Sequence, residues 1–357
     1  MDRIDWTLAQ RVGELIAGTG PAERIFAEAA QPLAEDFAKR VSEYTGLALP
    51  MELPPLEAVD RPEWIAANLS SMRPLMEKVA ERMQHNSRKA PAKLPQGWAL
   101  GLPEAMRVAS GLMLGAQVGA MAGLLSQRVL GQYELELLEP STSPRLLLVA
   151  PNLAQAAQRM QVQRDELLNW VTIHEITHAI QFSGAPWLRG HLAAMIEELL
   201  DGLDVSVSLR QMLRLPSAGE VRELADLLRR GEVLRVALGR DRWLLLERMQ
   251  ATMSLIEGHA EHVMDAVGAE VLPSLTRLRG ALQGYRESAG LPWRIVARLL
   301  GLDMKMRQYD VGKRFCDEVV AQAGPQALSR AWASPENLPT AAEFEAPHAW
   351  LERVGHN

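Results

Sequence analysis

Apolar residues recur every three or four positions along much of the chain, a spacing typical of helices that bury one face. Helices are predicted over residues 21–47, 60–83, 164–182, 192–213, 218–230, 243–268 and 301–320, and around Trp350. Asp60, followed by Pro62 and Glu63, is a typical N-cap for the helix that begins there. Residues 86–102 mix Pro, Lys, Ser and Gly, and are predicted to form a loop.

The segment 108–127 has no charged residue and carries a glycine at every fourth position. These glycines are Gly111, Gly115, Gly119 and Gly123. A membrane-spanning helix would have this length and could use such small-residue contacts, but Ser110, Gln117 and Ser126 dilute the segment and no other spanning candidate exists. Each glycine costs a helix up to about 1 kcal/mol. We therefore expect a buried central helix, against which another backbone packs very closely.

Two short strands are predicted before residue 150. Residues 133–138 partly alternate between polar and apolar, and 145–149 form a compact apolar run, so the two together predict a hairpin. The edge of such a hairpin can bind an extended peptide through backbone hydrogen bonds. It can equally serve only to brace the following helix, and both interpretations stay open.

The pentapeptide His174-Glu175-Ile176-Thr177-His178 lies within the predicted helix 164–182 and has the form HExxH. Residues four apart share one face of a helix, so both imidazoles point the same way and supply half of a tetrahedral zinc site. Glu175 is then placed to take a proton from a metal-activated water molecule. The rest of this helix is largely apolar, so its histidines need partners. The alternative is a core helix whose two histidines are satisfied by hydrogen bonds.

A polar stripe on the helix 243–268 supplies a candidate third ligand. The stripe consists of Gln250, Ser254, Glu257, Glu261 and Asp265. No lysine or arginine lies between Arg248 and Arg277, which suits a helix whose charge is balanced by a metal or by imidazolium. Glu257 is the expected third zinc ligand. Glu261, one turn later, is expected to accept the second ring N–H of a ligand histidine.

Three other histidines compete with Glu257 for the third ligand position. His259 lies two residues from Glu257 and points to another side of the helix, His262 is on the same helix, and His191 could belong to a loop after the first metal-binding helix. The longer motif HExxHxxGxxH is absent, because Gln181 and Gly184 occupy the positions of its glycine and last histidine.

Several segments resemble the zincin-like metallopeptidase type 2 family. They are HEITHAIQF, MSLIEGHAEHVMD, LLGLDMKMRQYDVGKRFCDEV and WASPENLPTAAEF, together with DRPEWIAANL and the glycine repeat with GQYEL. The resemblance implies a mostly α fold with a zincin-like helical core, which would contain the HExxH helix, the buried glycine-repeat helix and a small β-hairpin. It also implies zinc held by His174, His178 and a downstream glutamate, with Glu175 as catalytic base. Members are described as zinc hydrolases, and many are labelled as linked to biosynthesis of a deazaflavin coenzyme.

The composition and net charge argue against nucleic acid as a partner. The 357 residues are 48% hydrophobic and 23% charged with a net charge of −6, and no basic cluster suggests nucleic acid. The single cysteine, Cys316, excludes an internal disulfide, and the charged N-terminus lacks the apolar stretch of a signal peptide. A cytoplasmic protein is expected, with no membrane partner. Residues 1–130 are predicted to be a helical region packed on a metal-binding region of 131–357, or continuous with it as one domain.

The predicted activity is zinc-dependent hydrolysis of a peptide or amide by a metallopeptidase, with Glu175 acting as base and then as acid. An oxyanion needs a further donor, for which Tyr309, Arg307 and Lys305 are candidates. One alternative is a metal-binding protein without activity, its zinc closed by a fourth side chain such as His259 or Glu261. Another is an enzyme whose cleft is filled by its own chain.

Overall fold

The computed structural model describes residues 3–18, 20, 25–89, 102–135, 143–201, 233–287 and 302–355. These residues form twelve α-helices and three strands, which confirms the predicted mostly α fold with a small β element. The helices are α1 Trp6–Ala17, α2 Ile25–Thr45, α3 Arg61–Lys89, α4 Leu102–Ser126, α5 Ala150–Met160, α6 Arg164–Gly184, α7 Trp187–Asp201, α8 Val233–Val271, α9 Leu275–Glu287, α10 Leu302–Ala323, α11 Pro325–Leu328 and α12 Pro347–Gly355.

A three-stranded sheet lies at the centre of the fold, in the order β1-β3-β2. Its strands are β1 Leu56–Val59, β2 Gly131–Glu134 and β3 Arg145–Val149. β2 and β3 are antiparallel with Gly131 opposite Leu148, as predicted for a hairpin, but β2 begins two residues before the predicted strand 133–138. β1 pairs in parallel with β3, with Leu56 beside Leu146. This third strand was not predicted, because its four residues are too few to show an alternating pattern.

The middle strand, β3, separates two hydrophobic cores. Leu146 and Leu148 belong to the larger core, which includes α6 and α8. Leu147 and Val149 face the opposite way and belong to a smaller core that α1, α3 and α4 cover. All four side chains are fully or almost fully buried, and burial of each stabilises the fold by about 1.5–3 kcal/mol. An entirely apolar strand is the expected sequence for a position buried on both faces.

The glycine repeat of α4 faces α1. A Cβ atom on any of the four glycines would overlap a backbone carbonyl oxygen in or just before α1; these oxygens belong to Arg3, Asp5, Ala9 and Gly13. The predicted close backbone approach is therefore present, and the glycine face is buried. The helix is not central, however, because Leu112 and Met113 on its other side are 42% and 54% exposed. Val108–Ser126 is long and apolar enough to cross a membrane by length and composition, and 28% of this apolar stretch is buried inside the fold.

A second pair of helices approaches as closely where α8 crosses α10. Gly258 of α8 faces Gly312 of α10, and a Cβ atom on either residue would overlap the other helix's backbone. Glu257 directly precedes Gly258. The two backbones are in direct contact, so no side chain can rotate to relieve a shift. This crossing therefore restricts how far α8, and Glu257 with it, can slide relative to α10.

Several predicted boundaries differ from those observed. The helix that begins at Arg61 is capped as expected, since Asp60 Oδ1 accepts from the N–H of Glu63 and Glu63 Oε2 accepts from the N–H of Asp60, both at 2.8 Å. That helix continues to Lys89, into the predicted loop. The helix predicted over 192–213 begins earlier, at Trp187. Residues 90–101, 136–142 and 202–232 lie outside the described part of the chain, and with them the helix predicted over 218–230.

Candidate metal centre

The HExxH motif lies on α6, which packs between α2 and α8 and against β2. His174 and His178 share the face of α6 that is turned towards α8. Their Nε2 atoms are 3.1 Å apart, and the two rings meet edge to face. Spacing along a single helix is therefore enough to bring two potential ligand atoms to one point.

Glu257 on α8 completes the cluster. Its Oε2 atom lies 3.7 Å from Nε2 of His174 and 3.7 Å from Nε2 of His178. Three atoms bound at about 2.0–2.1 Å to one tetrahedral metal ion lie roughly 3.3 Å apart, so the triangle has suitable dimensions for zinc. Within the described part of the chain, this is the one group of three such side chains close enough to hold a metal ion.

The electrostatics of the cluster also suit a cation. Burial lowers the pKa of His178, but the nearby carboxylates of Glu257 and Glu175 more than offset this and raise the pKa to about 9. Burial likewise opposes ionisation of Glu257, yet the two histidines hold its pKa well below the usual range. Glu257 is thus an ionised carboxylate that requires positive charge beside it, and a divalent metal ion would supply that charge.

Glu175 follows His174 but turns towards the sheet. Its Oε2 atom accepts a hydrogen bond of 2.7 Å from the backbone N–H of Tyr133 on β2. A Cβ atom on Gly131 would lie 2.8 Å from Glu175 Oε1, so glycine is required where the carboxylate meets the strand. Burial raises the pKa of Glu175, although the charges of His174 and His178 oppose the rise. A buried carboxylate with a raised pKa is a stronger base than an exposed one.

Gln181 contacts His178 at Nδ1, the ring nitrogen that does not face Glu257. Its Oε1 atom lies 2.8 Å from Nδ1 of His178, and its Nε2 atom lies 2.9 Å from the carbonyl oxygen of Ile256 and 2.8 Å from Nδ1 of His259. Gln181 is fully buried. The sequence marked it only as a departure from a longer motif, although its position three residues after His178 on a buried helix was a signal that could have identified it.

The competing histidines lie elsewhere. His259 is buried against Gln181 and the ring of Trp332, and its pKa falls to about 3 because of burial and the charges of His262 and His178. His262 bonds to Tyr44 and Asp317, each at 2.7 Å. His191, for which a loop position was one possibility, lies on α7 with its ring against Trp187.

The predicted roles of Glu261 and Tyr309 remain to be considered against the structure. Glu261 is buried one turn after Glu257. Gln181, not Glu261, contacts Nδ1 of His178, and the predicted hydrogen bond from the second ring N–H of a ligand histidine to Glu261 stays a prediction. Tyr309 belongs to α10, but its side chain and those of Lys305 and Arg307 lie outside the described residues, so their predicted role as oxyanion donors is untested.

Fold and site together define a helical protein with a zincin-type cluster of two histidines and a glutamate. The profile of the zincin-like metallopeptidase family matches residues 4–351, and the chain belongs to this family. It is also similar to a crystal structure from Chloroflexus aurantiacus, described as that of a candidate hydrolase with a novel fold. That similarity has a TM-score of 0.65 and 29% identity, and covers 99% of each chain. No protein of curated function was found to match.

Proposed function

We propose that the protein is a zinc-dependent metallopeptidase in which His174, His178 and Glu257 hold the metal and Glu175 is the general base. The observation that carries this proposal is the convergence of three ligand atoms, at separations of 3.1–3.7 Å, beside a buried glutamate that is not one of them. Membership of the zincin-like metallopeptidase family supports a bound metal and hydrolytic chemistry.

Zinc bound at this cluster would lower the pKa of a water molecule and polarise the carbonyl group of a substrate. Glu175 would accept a proton from that water molecule. The N–H of Tyr133 holds its Oε2 atom, so the carboxylate keeps one orientation and its remaining lone pairs can receive a proton from water. The same carboxyl group can then donate that proton to the leaving amine.

An open coordination position distinguishes an enzyme from a structural zinc protein, whose metal is closed by four protein ligands. The candidates for a fourth ligand are His259 and Glu261. The ring of His259 is bonded to Gln181, and neither residue belongs to the group of described side chains that could hold a metal ion. Among the described residues no fourth protein ligand closes the site, which favours the enzyme over the structural alternative.

A peptide is the substrate class that we propose, and the position of β2 supports it. β2 is an edge strand of the sheet, and it lies beside the Glu175 carboxylate. The Val149 N–H donates to Leu130 O, so alternation along an antiparallel pair turns the N–H groups of Gly131 and Tyr133 away from β3. The Tyr133 N–H already donates to Glu175, so an extended peptide would pair with this outer side through the Gly131 N–H and the outward carbonyl groups, next to the base.

Substitution of Glu175 by Gln tests the proposal. Glu175→Gln keeps the shape of the side chain but removes the base, so the protein should retain one zinc per chain and lose hydrolysis by several orders of magnitude. Zinc is measured by elemental analysis, and hydrolysis with a library of peptides and esters. His178→Ala should lose the metal, while His191→Ala, outside the cluster, should keep it. Equal hydrolysis by wild type and Glu175→Gln, or full zinc in His178→Ala, would contradict the assignment.

A further inference from the structure

The orientation of the Gln181 side-chain amide is fixed by its surroundings. The carbonyl oxygen of Ile256 can only accept a hydrogen bond, so the group that faces it at 2.9 Å must be the NH₂ of Gln181. The same NH₂ group faces Nδ1 of His259 at 2.8 Å. The oxygen of the amide is thereby directed at the remaining neighbour, Nδ1 of His178.

This orientation determines the hydrogen positions on both histidines. Because an amide oxygen only accepts, Nδ1 of His178 must carry a hydrogen, whether the ring is neutral or protonated. In the neutral ring the lone pair then lies on Nε2, the atom that faces His174 and Glu257. His259 must accept at Nδ1, and therefore carries its hydrogen on Nε2.

Gln181 also connects the two helices that supply the metal ligands. It lies on α6, three residues after His178, and the carbonyl that it bonds on α8 belongs to Ile256, the residue before Glu257. One buried amide therefore sets both the ring orientation of a histidine ligand and the position of the backbone that carries the carboxylate ligand.

A neutral side chain suits this position. The proposed ligand Glu257 and the proposed base Glu175 carry two negative charges, which balance the two positive charges of a zinc ion. A carboxylate in place of the Gln181 amide would add a further buried negative charge, which is costly without a partner. It would also oppose the carbonyl oxygen of Ile256 instead of donating to it.

We propose that Gln181 is a positioning residue: it holds His178 with its Nδ1 hydrogen turned away from the metal, and it ties α6 to the turn of α8 that carries Glu257. This inference rests on the proposed function, since it takes His178 and Glu257 as zinc ligands. Residues that hold a ligand histidine from behind typically change metal affinity by about ten- to a hundredfold when they are replaced.

The test uses the zinc-loaded protein and compares Gln181→Met with wild type. Gln181→Met has similar length but neither donor nor acceptor, so competition with a chelator should show zinc affinity about ten- to a hundredfold weaker. In ¹⁵N-labelled protein, the Nδ1–H signal of His178 should exchange slowly with water in wild type and quickly in the variant. A residue that only contributes to folding stability would not change this signal.

Two further variants separate positioning from general loss of a buried polar group. Thr177→Val is the matched control: Thr177 is as buried as Gln181, and its hydroxyl donates to the Ile173 carbonyl of its own helix, so zinc affinity and the Nδ1–H signal should stay as in wild type. Gln181→Glu keeps an oxygen facing His178, so the Nδ1–H signal should remain protected, while the lost bond to Ile256 should make zinc affinity weaker than in wild type.

The outcomes distinguish this inference from the proposed function. Wild-type zinc affinity with a protected Nδ1–H in Gln181→Met would overturn the role of Gln181, and so would a rapidly exchanging Nδ1–H in Gln181→Glu. If His178→Ala loses zinc in the same experiments, the proposed metal site survives that result. A wild-type protein that binds no zinc, or a His178→Ala variant that binds it fully, would overturn the metal site and the inference together.

Discussion

The two close helix crossings of this protein differ in what they support. In the first, four buried glycines of α4 lie along α1, and the opposite side of α4 is exposed to solvent. Neither helix contains the HExxH motif. In the second, Gly258 and Gly312 meet where α8 crosses α10, directly after Glu257. Both crossings bring two helix backbones into direct contact. The first only packs two helices together, whereas the second also positions a proposed metal ligand.

The two crossings also differ in the spacing of their glycines, and for this reason only the first could be predicted from the sequence. The α4 glycines repeat every four residues, which is a periodic pattern within one segment. Gly258 and Gly312 lie 54 positions apart on two different helices, and no other glycine lies within nine positions of either, so neither forms a periodic pattern with its neighbours. A repeat can be recognised by its periodicity, whereas an isolated pair can be recognised only when the partner is known.

The largest effect is expected from Gly312→Ala. Its new methyl group would overlap the carbonyl oxygen of Ser254, and backbone contacts cannot be relieved by a rotamer change. We expect a loss of unfolding free energy at the upper end of about 1–3 kcal/mol, with zinc affinity weaker by about tenfold or more, since Glu257 must move with its helix. Urea denaturation and chelator competition, at a temperature where the variant is folded, measure the two. Unchanged zinc affinity in a destabilised protein would remove the connection between crossing and site.

Gly119→Ala is the matched substitution in the other crossing. The added methyl group would overlap the carbonyl oxygen of Ala9, so a similar destabilisation of about 1–3 kcal/mol is expected. Zinc affinity should stay within about twofold of wild type, because α1 and α4 contribute no side chain to the cluster of His174, His178 and Glu257. A comparable loss of zinc affinity in both glycine variants would show that the two crossings are coupled.

A smaller and pH-dependent effect is expected from His259, one residue after Gly258. Its pKa is about 3 in the folded protein and about 6.5 when unfolded, so between these values the unfolded state binds a proton that the folded state does not. Its contribution to stability is complete above about pH 6.5 and is lost as pH falls towards 3, by at most about 1.4 kcal/mol per pH unit. Urea denaturation of the metal-free protein should therefore show a shallower acid slope in His259→Asn. Equal slopes would mean that His259 is not held neutral.

The parts of the fold and site that could be predicted are those encoded by local spacing. Two histidines four residues apart on an apolar helix, and a polar stripe without cations, were sufficient to select the side chains that the structure brings together at one point. The sequence could not show that Gln181 would meet Ile256 and His259, because contacts between helices depend on how the helices pack. β1 was missed for a related reason: its four residues are defined by pairing with β3, about ninety residues later.

The hydrogen bond from the Tyr133 N–H to Glu175 places an acceptor where the sheet edge would otherwise offer a donor. An unpaired strand offers a peptide alternating donors and acceptors. At Tyr133 the donor is already taken, and a carboxylate stands in front of it. A carbonyl group approaching this position would meet negative charge, whereas an N–H would find an acceptor. A peptide that lies along β2 must therefore align so that its own N–H faces Glu175, which would select one register of the substrate before any side chain is recognised.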